Sequence, residues 1–437
     1  MSAHPLSNIA RWRNKAGPSG LPSVCSAHPM VLEAAMRATL PADLPLLVEA
    51  TCNQVNQEGG YTGMTPVDFR TRVEDIARLA GFPMERVILG GDHLGPNPWK
   101  SLPAEEAMDK AAAMVRAYAA AGFTKLHLDC SMGCVGEPVA LDNAMTARRA
   151  ARLAAAAEGA APGGDMPAPV YVIGTEVPIP GGAMEELGAL GVTTAAAATE
   201  TVSAHRKVFE EAGLDGAFAR VVGLVVQPGV EFGNHNVIDY DPASARELSA
   251  VLGDLPGLVF EAHSTDYQTR GSLAALVLDG FAILKVGPGL TFALREALYG
   301  LDAIATELVP EGRDRTLRQV MEAVMLADPS HWGKYYEGDA EVRRRLRHFS
   351  YSDRIRYYWP SAEAEAAVEQ LFGLLDGWDI PEPLIGQYLG RLFSAVRAGE
   401  VPCHARPLVL ASIELVMQDY IAASFGLDRV TGSLRQA

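Results

Sequence analysis

Three observations predict the fold class, an α/β chain built as a (β/α)8 TIM barrel with a C-terminal helical extension. Eight short apolar, β-branched runs alternate with Ala-, Leu-, Glu- and Arg-rich stretches of helical periodicity, the pattern of a parallel sheet covered on both faces. Polar and ionisable residues gather where those runs end, and in a barrel the strand ends share one rim, where active sites sit. After about residue 303 the strands stop and helical periodicity alone continues.

The predicted strands, in order, are Ser23–Ala27, Leu46–Ala50, Arg86–Gly90, Lys125–Asp129, Pro169–Ile173, Val221–Val226, Leu258–Ala262 and Phe281–Val286. Each ends abruptly in Gly, Pro or polar residues. Between them lie helical stretches such as Ala104–Ala121 and Ala195–Ala212, and Ala151–Ala168 reads as a helix followed by an exposed loop at Pro162, Gly163 and Gly164. Eight such units in about 300 residues fit a closed barrel better than an open sheet. Beyond them, Thr316–Leu326, Ala362–Leu375, Glu382–Ala398 and Leu408–Ala423 read as helices, interrupted by the basic and aromatic Arg343–Trp359. The chain is thus expected to divide into a barrel, 1–303, carrying the active rim, and a helical extension, 304–437, covering or flanking it.

Composition bounds the function. Of 437 residues, 49% are hydrophobic and 21% charged, so a sizeable core forms. Lys plus Arg is 37 against 53 for Asp plus Glu, a net charge of −16. Such a surface repels polyanions, which argues against nucleic acid and anionic membranes as partners. No apolar run reaches bilayer length, and the N-terminal MSAHPLSNIARWRNKAG lacks the apolar segment of a signal peptide. The cysteines (Cys25, Cys52, Cys130, Cys134, Cys403) are odd in number and follow no zinc-ribbon spacing. Reduced thiols and a cytoplasmic location are expected.

The sharpest chemical segment is Gly90–Pro96, GGDHLGP, where Asp92 and His93 follow a strand and are flanked by glycines. Neutral imidazole suits a borderline metal, and an adjacent carboxylate can shuttle a proton; the alternative is an Asp that caps the next turn. His235 lies in VEFGNHN and His263 in FEAHSTD, both soon after predicted strands. Three histidines on one rim form the three-ligand set of an open metal site. Glu176, in IGTEVPIPGG, is a candidate accessory ligand or sugar-hydroxyl acceptor, and Asp129 sits at the rim with a similar choice. His127 lies deeper in its strand but on the side of Asp129, so it stays open. Leu284–Phe292, LKVGPGLTF, runs from strand to helix through two glycines. In a barrel the loops after the last two strands frequently hold a phosphate, with Ser264 and Thr265 contributing. Arg354 or Arg356 reaching over to a phosphate is a lesser alternative to a solvated basic face. No G-x-x-x-x-G-K-[ST] loop, G-x-S-x-G elbow or kinase signature is present.

GGDHLGPNPW, KLHLDCSM, YVIGTEVPIPGG, VVQPGVEFGNHNVIDY, FEAHSTDYQT and LKVGPGLTFALREAL resemble the GatZ/KbaZ family of class II tagatose-1,6-bisphosphate aldolase subunits, from about residue 20 to at least 360. Some members of that family are described as tagatose-6-phosphate 4-epimerases, others as tagatose-6-phosphate kinases. A more distant resemblance to class II aldolases implies that His93, His235 and His263 hold a divalent metal, zinc being the expected ion. It further implies Asp92 as proton shuttle, Glu176 as accessory and Asp129 at the rim. Ser264, Lys285, Gly287, Gly289 and Thr291 are implied to bind phosphate. Glu231 is the alternative to His235, which sits in a longer segment than the aldolase pattern has. The resemblance implies epimerisation of D-tagatose 6-phosphate and D-fructose 6-phosphate by retro-aldol/aldol chemistry. The rival is a non-catalytic subunit that stabilises a class II aldolase chain. Its implied partners are a sugar phosphate, that aldolase chain and further copies of the same chain.

Overall fold

The computed structural model describes residues 3–14, 17–42, 44–164, 166–174, 190–311 and 313–425. The eight expected runs are strands β1 (Leu21–Val24), β2 (Leu46–Thr51), β3 (Val87–Leu94), β4 (Lys125–Leu128), β5 (Val170–Gly174), β6 (Val221–Val226), β7 (Val259–Ala262) and β8 (Ile283–Val286). Each pairs in parallel with its sequence neighbours, and β8 closes the barrel on β1 through Leu21–Ile283 and Val24–Val286. Helices wrap the outside, with starts fixed by side chains: Thr65 and Asp68 form a capping box before Pro66–Ala80, and Asp142, Thr194 and Thr269 cap later helices.

Side chains alternate in and out along each strand, so the barrel interior is built in layers. Leu21, Leu47, Val259 and Ile283 form an apolar floor, sealed from below by Leu6 and Ile9 of the 3-10 segment Pro5–Asn14. Two residues further along the same strands the positions become Ser23, Glu49, Glu261 and Lys285, all buried. Two residues further again stand Cys25, Thr51, His263 and Gly287, at the mouth. On β4 the same step of two carries Lys125, His127 and Asp129 upward.

The helical C-terminal region does not begin at a break in the chain, because Pro288–Leu308 is one helix through residue 303. The last helix, Ala405–Ser424, packs against Pro29–Thr39, Arg270–Leu278 and Pro288–Leu308 and completes the barrel's outer ring. The Tyr420 hydroxyl donates to the Thr265 carbonyl at 2.8 Å, and Arg270 pairs with Asp419 at 2.7 Å. The expected single helix Glu382–Ala398 is two, Glu382–Tyr388 and Phe393–Arg397, because Leu389 leaves helical geometry (φ −132°, ψ 42°). The basic stretch is partly helical, Ala340–Phe349, and then turns at Asp353 (φ 46°) into the 3-10 segment Arg354–Tyr358. No helix among the described residues is long and apolar enough to cross a membrane.

Candidate active site

Three imidazoles converge at the barrel mouth. His93 at the end of β3, His127 on β4 and His263 just after β7 have ring centroids 5.1, 4.8 and 5.2 Å apart. A carboxylate grips one nitrogen of each ring. Asp129 holds His93 Nδ1 at 2.8 Å, Asp92 holds His127 Nδ1 at 2.9 Å, and Glu261 holds His263 Nε2 at 3.0 Å. Carboxylate–imidazole pairs of this kind set the tautomer and leave the other nitrogen for a metal. The other nitrogen of His127, Nε2, is buried and has no hydrogen-bond partner among the described residues. One donor atom from each of Asp92, His127, Glu261 and His263 lies within 4.8 Å of the others, so this buried group can bind a metal ion. Two imidazoles on one tetrahedral ion, with nitrogens about 2.1 Å from it, have centroids about 5 Å apart, the spacing that the three rings show.

Charge supports the same fit. Among the described residues, four buried carboxylates, Glu49, Asp92, Asp129 and Glu261, face two buried ammonium groups, Lys125 and Lys285. Lys125 lies 2.8 Å from Glu49 and 2.6 Å from Glu261; Lys285 contacts Glu49, Asp92 at 2.7 Å and Glu261 at 3.3 Å. The layer keeps an excess of two negative charges, which a divalent cation would balance. Burial opposes ionisation of Asp92, yet His93 and Lys285 hold its carboxyl well below the usual range. Burial likewise opposes ionisation of Asp129, but the His93 hydrogen bond and charge hold it at about 2. His93 is raised, the Asp92 and Asp129 charges outweighing its burial. Burial lowers His263 to about 3, leaving it neutral and fit to ligate.

Two glycines of the GGDHLGP segment permit this geometry. A Cβ on Gly95 would lie 1.7 Å from the Asp129 carbonyl oxygen, so the loop reaches Asp129 only without a side chain. A Cβ on Gly90 would lie 2.6 Å from Glu49 Oε1, in the space that the carboxylate fills.

A cavity opens above these groups, lined by Asp92, His93, His263 and Lys285 from the barrel and by Arg356 and Tyr357 from the C-terminal region. The structure brings Asp92, Asp129, His93 and His263 together as the sequence suggests. It adds His127, whose signal was the period of two shared with Asp129. It does not bring in His235, which is exposed in the turn between the paired segments Glu231–Phe232 and Val237–Ile238. Glu231 is buried, its carboxyl pushed up to about 7 by burial, and faces Ser264. Glu176 lies outside the described residues.

Most of the expected phosphate donors are engaged elsewhere. Asp266 accepts the N–H groups of Gly287 at 2.9 Å and Gly289 at 2.7 Å. Thr291 donates to Asp353 at 2.5 Å, and Lys285 belongs to the ionic layer. Ser264 lines the cavity in a left-handed conformation (φ 54°).

Residues 6–425 match the profile of the family described as D-tagatose-1,6-bisphosphate aldolase subunit GatZ/KbaZ-like. A D-tagatose 6-phosphate 4-epimerase from Agrobacterium fabrum (strain C58 / ATCC 33970) is 55% identical over 419 residues, covering 96% of this chain and 98% of its own. A crystal structure from Sinorhizobium meliloti 1021, described as a probable tagatose 6 phosphate kinase, superposes with a TM-score of 0.87 at 63% identity, covering 92% of this chain and all (100%) of that one. Matched to the family profile over residues 6–425 and 55% identical to a relative over almost the whole of both chains, the chain belongs to the GatZ/KbaZ-like family.

Proposed function

We propose that the protein is a ketose-phosphate 4-epimerase, interconverting D-tagatose 6-phosphate and D-fructose 6-phosphate. The observation that carries this reading is the identity, over almost the whole of both chains, to a relative named for that reaction. His93, His127 and His263 would hold a divalent cation, zinc by the preference of an all-imidazole set. When bound, that ion supplies Lewis-acid polarisation of the ketose oxygens.

The chain's own residues do the rest. Asp129, Asp92 and Glu261 fix the three rings. Asp92, kept ionised by Lys285 at 2.7 Å, takes the proton of the 4-hydroxyl as the C3–C4 bond breaks. It returns that proton after the aldehyde fragment has turned and C3–C4 has re-formed on its other face. Arg356 and Tyr357 wall the cavity from the C-terminal side, so that both fragments are retained, as an epimerase needs and an aldolase does not.

The family description favours a second reading, a subunit that assists a class II aldolase chain. The kinase description of a relative finds no nucleotide-binding motif in this sequence. The test is the purified chain alone with D-tagatose 6-phosphate, followed by carbon NMR with and without chelator. Conversion to D-fructose 6-phosphate that stops on chelation and returns with zinc supports the epimerase. No conversion alone, with a gain in cleavage when an aldolase chain is added, supports the subunit.

A further inference from the structure

We infer that the substrate's phosphate is held by Arg356 of the C-terminal region and not by the glycine loop after β8. This rests on the ketose-phosphate reading above. The glycine loop already has its anion. The Asp266 carboxylate accepts both loop N–H groups, at 2.9 and 2.7 Å, and a phosphate dianion brought to the same donors would meet that carboxylate's charge. Lys285 is no better placed, being matched by Glu49, Asp92 and Glu261.

Arg356 differs in each respect. It lines the cavity above the imidazoles and also the adjoining cavity that runs between β1's outgoing loop and the helix Ala362–Leu374. It is half-buried, yet among the described residues no carboxylate lies within ion-pair distance of its guanidinium. Its hydrogen bonds go to neutral partners, the carbonyls of Ser352 at 2.5 Å and Asp353 at 3.0 Å and the Tyr357 hydroxyl at 2.9 Å. Those bonds, with the guanidinium 4.4 Å from the Tyr357 ring centroid, fix its direction without a direct carboxylate partner, the Asp353 and Asp266 charges acting on it only from beyond ion-pair distance. A planar guanidinium so held is suited to grip a phosphate by paired, charge-assisted hydrogen bonds. The C-terminal region is then part of the active site, distinguishing phosphorylated from free ketoses.

Kinetics and direct binding test this separately. Arg356→Met is expected to raise KM for the ketose 6-phosphate on the order of 100-fold, the loss of one charge-assisted pair, with kcat changed far less. The preference for the phosphorylated over the free ketose should shrink by the same factor. Arg356→Lys, which keeps the charge but not the fork, should fall between. Inorganic phosphate titrated against wild type, Arg356→Met and Asp266→Asn, read by phosphorus NMR line width, needs no turnover and so stands even if the epimerase reading fails. Weakened phosphate binding in Arg356→Met, with Asp266→Asn within a few-fold of wild type, supports the inference. Unchanged binding and KM in both Arg356 variants would overturn it. So would phosphate binding that tightens tenfold or more in Asp266→Asn, which would put the phosphate in the glycine loop.

Discussion

Asp92 Oδ1 lies 2.9 Å from His127 Nδ1, and the opposite nitrogen of that ring is buried without a partner among the described residues. A buried nitrogen without a hydrogen bond is costly; on a ring about 5 Å from two other imidazoles, each fixed by its own carboxylate, it would be satisfied by a bound cation. His127→Asn should therefore abolish stoichiometric metal binding, lowering affinity by more than about 100-fold, beyond the cost of losing an outer partner alone. Exposed His235, changed to Ala, should leave metal content as it is. Metal analysis of both proteins after dialysis decides between the two histidines. Metal retained in His127→Asn and lost in His235→Ala would reverse the assignment.

Asp129 acts one bond further out. Its carboxylate holds His93 Nδ1 at 2.8 Å and is itself fixed by the Ser131 hydroxyl at 3.0 Å. Asp129→Asn should cost roughly 10- to 100-fold in metal affinity while the purified protein keeps its melting profile in the presence of saturating metal. Competition against a chelating dye gives the affinity, and a value equal to wild type would mean that Asp129 does not orient the ring.

The barrel was readable because its strands are buried on both faces and appear as continuous apolar runs. The rim was readable because ionisable residues interrupt those runs at one end. What escaped reading lay inside. Lys125 and Glu261 sit within strands, where a charge in an apolar run marks an inward position only once the closing partner strands are known. His127 shares their difficulty. His235 has the local surroundings of a ligand, but its ribbon carries it to the surface. Nothing in the order of the last helices reveals that Ala405–Ser424 returns to lie beside Pro29–Thr39; tertiary packing decides that.

The ionic layer makes a stability prediction. Lys125 is fully buried between Glu49 and Glu261. Lys125→Met keeps much of the volume but leaves Glu49 and Glu261 to share Lys285 alone, and removing one partner of a buried ionic group costs about 3–5 kcal/mol. Urea unfolding at neutral pH should show that loss. Lys125→Met combined with Glu49→Gln should recover part of it, since the double change removes one of the two carboxylates that then share Lys285. A double variant less stable than the single one would mean that the layer is held by shape and not by charge balance.

His205 supplies a pH dependence away from the active site. It sits buried on the helix Ala195–Glu211, its Nδ1 donating to the Thr201 carbonyl at 2.8 Å and its Nε2 without a partner among the described residues. Burial lowers its pKa from 6.5 to about 4, the Thr201 bond opposing only part of that. The fold accepts the neutral ring, so between about pH 6.5 and 4 the unfolded chain binds a proton that the folded chain does not. Stability is therefore fully present above that window and falls as pH is lowered through it, by up to about 1.4 kcal/mol per pH unit. In His205→Gln, which cannot titrate, the slope of unfolding free energy between pH 6 and 5 should be shallower by roughly 1 kcal/mol per pH unit. The other buried histidines titrate in both proteins and cancel in the difference. Equal slopes would mean that His205 takes up its proton without the helix leaving the barrel.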